Sequence, residues 1–267
     1  MIAIVVDSTV YMTRREAHLY GVSIVPSIYN NKYDKYIDDI KDDSIYDEIF
    51  PTTKQPDVKS FYNTFRELGK RGYDILCLTI SSKMSGTYNS ACVAANHIKS
   101  VNICVVDSRV TGGGMFMLVK KARMMADRNI ALNDIANEII RMRDNIVLRY
   151  TVDELNIMKN SKRVSYIRQS AVSMLNLKPV FSCDKGAILM EDPARNGYDL
   201  IRRLTAGIPS ETDYIIIHYI IHNQLVEDVR KYLTAKYTRA LIQLRKLGPV
   251  IGINTGSSIC AVVWYEE

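Results

Sequence analysis

Hydroxyl-bearing side chains gather directly after three β-branched, apolar runs in the first half of the chain. Asp7-Ser8-Thr9 follows residues 2–6, Ser81-Ser82-Lys83-Met84-Ser85-Gly86-Thr87 follows 74–80, and Asp107-Ser108 follows 102–106. Runs of this kind are strands buried on both faces. In an open parallel sheet the loops at their carboxyl ends share one edge, where ligands settle near the reversal of strand order. Ser85 stands where a helical pattern begins, so its hydroxyl and the N–H groups of Gly86 and Thr87 are placed to hold an anion at the positive end of a helix. Helix capping is the ordinary role of a lone serine there; three clustered loops keep a ligand in play.

Other chemistries find less support. No G-x-x-x-x-G-K-[ST] occurs, and Thr111-Gly112-Gly113-Gly114 lacks the G-x-G-x-x-G spacing, so its glycines read as close packing or a turn. Ser85 is not framed by G-x-S-x-G, which weakens a serine hydrolase. His218 and His222 stand four apart, a spacing that suits a metal on a helix, but His218 falls in a strand-like run and reads better as a satisfied core or pocket histidine. Arg163 and Arg195 are single arginines among many. A hydrolase or phosphotransferase using Asp7, Ser8 or Ser85 as nucleophile stays open as an alternative, because an aspartate after the first strand of a parallel sheet suits covalent chemistry.

The elements that must position these residues change rhythm midway. Up to residue 145 strands (2–6, 22–28, 74–80, 102–106) alternate with helices. Pro56 precedes the stripe Val58, Phe61, Phe65 and Leu68, and Gly72 closes it; Tyr88, Ala91, Cys92, Ala95 and Ile98 form a second stripe, and Leu132, Ile135, Ile139 and Met142 a third. Beyond 146 come a strand over 146–152, short helical pieces to 177 and a hairpin about Asp184-Lys185-Gly186. A helix over 195–206, a strand over 214–221, a helix carrying Leu225, Val229 and Leu233, and strands over 240–244 and 259–264 complete the pattern. The pattern predicts an N-terminal parallel-sheet α/β domain over 1–145 and a C-terminal mixed α+β domain over 146–267.

Composition bounds the class. With 267 residues, 47% hydrophobic and 24% charged, the chain is globular rather than disordered. Its net charge of +6 is too diffuse to imply nucleic acid. Apolar stretches fall short of the roughly 18–20 residues a membrane span needs, and the charge at Asp7 comes too early for a signal peptide, so a cytoplasmic protein is expected. Cys77, Cys92, Cys104, Cys183 and Cys260 form no C-x-x-C pair and are expected as free thiols, with no metal and no cofactor.

In order and spacing, the chain resembles the DegV family of bacterial fatty-acid-binding proteins. The segments that carry the likeness are Asp7-Ser8-Thr9, Val25-Pro26, Thr52-Thr53-Lys54-Gln55-Pro56, Ile80-Ser81-Ser82-Lys83-Met84-Ser85-Gly86-Thr87-Tyr88, Val106-Asp107-Ser108, Leu175-Asn176-Leu177-Lys178-Pro179, His218 and Gly248-Pro249-Val250-Ile251-Gly252. The resemblance implies one long-chain fatty acid held between two domains, its tail buried in the second. A separate ATP-dependent kinase subunit would phosphorylate the carboxylate to an acyl phosphate for phospholipid synthesis, the binder having no catalytic site alone. By position, Thr53 and Ser85 would hold the carboxylate, with Gly86, Thr87, Ser108, His218, Asn254 and Thr255 around it, Arg163 near the head group and Arg195 at the kinase-docking face. A monomer without nucleic acid is expected, open to transient membrane contact. A stand-alone lipid sensor is the other reading.

Two departures mark this chain. Ser161-Lys162 replaces two glycines ahead of Arg163, and Gly252-Ile253-Asn254-Thr255-Gly256-Ser257-Ser258 stands where the family reads G-T-H-T-G-P-G. Asparagine donates a hydrogen bond but never becomes cationic, so a carboxylate held here would lack the pH response of a histidine.

Overall fold

The structure is a computed structural model that describes residues 1–30, 32–35, 52–153, 155–160, 163–164 and 177–266. Two compact units emerge: residues 1–144 with 248–250, and residues 145–247 with 251–267.

In the first unit, strands β1 (Ile2–Asp7), β2 (Val22–Val25), β6 (Asp74–Thr79) and β7 (Ile103–Asp107) form a parallel sheet in the order β2-β1-β6-β7. Strand order reverses between β1 and β6. Alternate residues serve opposite faces: Ala3, Val5, Ile75 and Cys77 pack on Phe61, Phe65 and Leu68 of α2 (Val58–Lys70) and on Ala91 and Ala94 of α3 (Thr87–Asn96). Ile4, Val6, Leu76 and Leu78 face the other way, toward α4 (Gly113–Asp127) and α5 (Leu132–Arg143). Asp57 caps α2 by accepting from the Ser60 N–H at 2.7 Å, and Gly72, at φ +78°, turns the chain out of it.

One expectation changes and two details are added. The strand foreseen over 22–28 breaks at Pro26, which has no N–H to continue a ladder. Its second part, β3 (Ser27–Tyr29), joins β4 (Lys32–Asp34) and β5 (Thr53–Lys54) in a separate antiparallel sheet. Gly113 and Gly114 belong to the first turn of α4, and only Gly112, at φ +55°, makes the turn before it. A short helix α1 (Arg14–Leu19) follows the β1 loop, held by a Thr13–Glu16 capping box.

In the second unit the sheet runs β10-β9-β8-β13-β11-β12, from β8 (Ile146–Thr151), β9 (Phe181–Asp184), β10 (Ala187–Met190), β11 (Tyr214–Tyr219), β12 (Leu241–Lys246) and β13 (Cys260–Tyr265). Only β11 and β12 pair in parallel, joined through α8 (Gln224–Lys236), so the sheet is mixed. Lys185 and Gly186, both at positive φ, make the β9–β10 hairpin turn. Ile215, Ile217, Cys260, Val262 and Trp264 pack against Leu200 and Leu204 of α7 (Gly197–Leu204) and Val226, Val229 and Leu233 of α8. Two further helices, α6 (Leu155–Asn160) and α9 (Pro249–Thr255), carry the segments on which Arg163 and Asn254 depend. Among the described residues no helix is long and apolar enough to cross a membrane. All five cysteines are free; Cys77 and Cys260 are buried and the other three partly so.

Candidate functional site

In the first unit, the loops at the carboxyl edge of the sheet are laced together by their own polar groups. Asp7, fully buried, accepts at Oδ1 from the Thr9 N–H (2.9 Å) and hydroxyl (2.5 Å), and at Oδ2 from the Ile80 N–H (2.6 Å). Its carboxyl thus bridges the ends of β1 and β6 at the strand-order reversal. Burial raises its pKa, and these donors offset part of that rise. The Ser8 hydroxyl accepts from the Ser27 N–H at 3.0 Å. The buried Ser108 hydroxyl donates to the Val110 carbonyl at 3.1 Å and accepts from its N–H at 3.3 Å, so it is committed within its own loop.

Ser85 differs. Half-buried, its oxygen lies 2.8 Å from the Thr87 hydroxyl and 3.3 Å from the Thr87 nitrogen, whose N–H it accepts. The helix cap itself is Gly86, one residue later than the serine-capped start that the sequence suggests, and it contributes no side chain. A Cβ on Gly86 would stand 2.5 Å from Gln55 Oε1, because the Gln55 amide lies over this turn and donates to the Ser90 hydroxyl at 3.2 Å. Gln55 thereby brings the segment that holds Thr53, paired with Tyr29 in β5, to the start of α3. The result places the half-buried Ser85 hydroxyl and the buried Thr87 and Ser90 hydroxyls at the N-terminus of α3, an arrangement matched to a carboxylate oxygen. The sequence does not single out Gln55; the missing Cβ at Gly86 was the available signal.

A second carboxyl sits behind this edge. Asp34, 1% exposed, receives the Tyr11 and Ser8 hydroxyls and the Val250 N–H, while its Oδ2 has no hydrogen-bond partner among the described residues. Burial first, and then the Asp7 charge, push its pKa up to about 8.

In the second unit, Arg163 donates through Nη1 to Asn254 Oδ1. Burial lowers the pKa of this guanidinium. Thr255, mostly buried, turns its hydroxyl back to the Ile251 carbonyl (3.0 Å) and the Gly256 carbonyl (3.2 Å). His218, 1% exposed, places Nδ1 3.0 Å from the Arg245 carbonyl, so that nitrogen carries the proton. Burial, reinforced by the Arg245 cation, holds its pKa down to about 3, and the ring is neutral at physiological pH. Arg195 is exposed; its backbone N–H meets Asp199 Oδ2 at 2.9 Å ahead of α7, beside the exposed Tyr198. Ser161, Lys162 and Asn176 lie outside the described residues. Among those described, no three His, Cys, Asp or Glu side chains gather as a metal would require.

Over residues 1–267 the sequence matches the family described as "Uncharacterised protein, DegV family". The chain belongs to the DegV family. A DegV domain-containing protein of Clostridium perfringens is 27% identical over 277 residues, covering 100% of this chain and 99% of the relative. A DegV family protein from Thermus thermophilus, whose structure concerns fatty acid binding, superposes with a TM-score of 0.87 at 25% identity over 100% of this chain and 99% of that one. The fold is shared too by a stearic acid-binding protein of Eubacterium ventriosum, with a TM-score of 0.87 at 22% identity over 99% of this chain and 98% of that one. An N-terminal parallel-sheet α/β domain and a mixed C-terminal one are thus the DegV arrangement in this chain as well.

Proposed function

We propose that this DegV-family protein binds a long-chain fatty acid. The full-length match to a fatty-acid-binding relative carries the reading, and the hydroxyl cluster at the start of α3 supports it chemically. Thr53 and Ser85 donate hydrogen bonds to the carboxylate, helped by the first amides of α3. The acyl tail is buried away from water. At about 0.8 kcal/mol per buried CH₂, a chain of roughly sixteen carbons contributes on the order of 10 kcal/mol before ordering costs, enough for retention through purification. The bound carboxylate is presented to a separate ATP-dependent kinase subunit that docks near Arg195 and converts it to an acyl phosphate.

Ser85→Ala and Thr53→Val each remove one hydroxyl from a charged acceptor. Each is expected to weaken oleate binding about ten- to a hundred-fold in a fluorescence displacement titration. Ser210→Ala, whose exposed hydroxyl meets the neighbouring Glu211 on the surface, serves as the unchanged control. Affinities equal to the wild type in both variants would remove the carboxylate from this end of the sheet.

A further inference from the structure

The sheet of the second unit is buried on both faces. Ile215, Ile217, Cys260, Val262 and Trp264 turn toward α7 and α8. Leu148, Tyr150, Phe181, Ile216, Ala261 and Val263 turn the other way, and none of them is more than 6% exposed. Across this second face one row runs through Phe181, Tyr150, Ala261, His218 and Arg245, each paired with the next on the neighbouring strand. The Tyr150 ring stacks on Phe181, with centroids 5.0 Å apart and planes 20° from parallel. Its hydroxyl is buried and has no hydrogen-bond partner among the described residues. Its other neighbour in the row, Ala261, is a methyl group with no polar atom to offer, and Leu148 beside it on β8 offers none either. Burial pushes the phenol pKa well above its ordinary value, so the oxygen keeps its proton and remains a donor. A phenylalanine would fill the same volume at no such cost, so an unmade buried donor in an apolar face is the mark of a missing acceptor.

We infer that an acyl chain lies against this face and that Tyr150 donates a hydrogen bond to an oxygen carried along the chain, which makes the preferred ligand an oxygenated fatty acid, hydroxylated or bearing a ketone, over an unsubstituted one. The inference rests on the fatty acid reading above and narrows its ligand class. An unsubstituted chain meets the apolar side chains equally well but leaves the phenol unpaired. A hydroxyl or keto oxygen supplies the lone pair, and a site with a buried polar group discriminates against the analogue that lacks the matching one.

The test titrates stearate and a positional series of monohydroxystearates into the full-length protein and its Tyr150→Phe variant. The wild type is expected to bind its best isomer about ten-fold more tightly than stearate, and Tyr150→Phe to lose that preference while holding stearate at wild-type affinity. Without ligand, the variant should be at least as stable as the wild type, followed in urea through the buried Trp264 of the same unit. A less stable ligand-free variant would mean that the hydroxyl is already bonded within the protein. An equal loss on stearate and its hydroxylated forms would put the carboxylate, not the chain, at Tyr150. Either result overturns the inference, as does a wild type that binds no isomer better than stearate, and in each case stearate binding by the wild type keeps the fatty acid reading. Failure of the wild type to bind any of these acids would instead sink that reading and the inference with it.

Discussion

His218→Asn is expected to abolish most of the acid sensitivity of the second unit. In the folded protein this histidine stays neutral down to about pH 3, because burial and the neighbouring Arg245 cation oppose its protonation. The unfolded chain takes up the proton near pH 6.5. Stability is therefore intact above about pH 6.5 and falls as the pH drops toward 3, by on the order of 5 kcal/mol from this one group. Asparagine retains a donor for the Arg245 carbonyl and does not titrate. The chain has a single tryptophan, Trp264, fully buried in the core of the second unit, so its fluorescence in urea titrations at pH 4 and pH 7 follows this unit. The variant should show nearly equal midpoints at both pH values; a wild-type-like drop would mean that other groups carry the acid transition.

Asp34→Asn should act with the opposite sign and in the first unit. The buried carboxyl keeps its proton up to about pH 8, whereas the unfolded chain releases it near pH 4. Its contribution is thus fully present below about pH 4, is lost as the pH rises to 8, and is constant above that, a swing of ~6 kcal/mol. The Asp7 carboxyl is the charged neighbour that adds to the rise; the Tyr11 and Ser8 hydroxyls and the Val250 N–H are the donors that limit it. An asparagine keeps an oxygen for those donors and removes the titration. Amide exchange of β1 and β6, measured at pH 6 and pH 9, should slow in the variant at the higher pH. Equal slopes in the wild type and the variant would show that Asp34 is solvated enough to ionise normally.

These two groups were unequally legible in the sequence. His218 interrupts an apolar strand run, and a lone polar residue inside such a run invites the reading as a satisfied core histidine that the structure supplies through Arg245. Asp34 opens a charged, tyrosine-containing stretch, and nothing local marks it for burial; its partners come from the β1 loop and from residue 250. The same divide runs through the fold. Strands β1, β6 and β7 were readable because buried parallel strands are continuous β-branched runs. Helix α4 was not, since it opens on two glycines and buries Met115 through Val119 without interruption, leaving no polar face in its first turns to set a period. Helix α9 is seven residues long and holds two isoleucines, a valine and a glycine, a composition without helical signature.

At the candidate site, motif segments identified Ser85, Gly86 and Thr87 correctly as neighbours of a helix start. The finer geometry depends on contacts across long sequence separations. Gln55 reaches Ser90 over 35 residues, and Arg163 reaches Asn254 over 91. Ser108 illustrates the converse: its place after a strand suggests a ligand, while its hydroxyl closes a turn on Val110.

Fatty acid binding by this chain is tested most directly by extracting the purified protein with organic solvent and identifying what is released by mass spectrometry, before and after incubation with oleate. A long-chain fatty acid near one equivalent per chain, or its uptake to that level from added oleate, is the predicted result. Recovery of no such acid in either preparation from folded protein would contradict it.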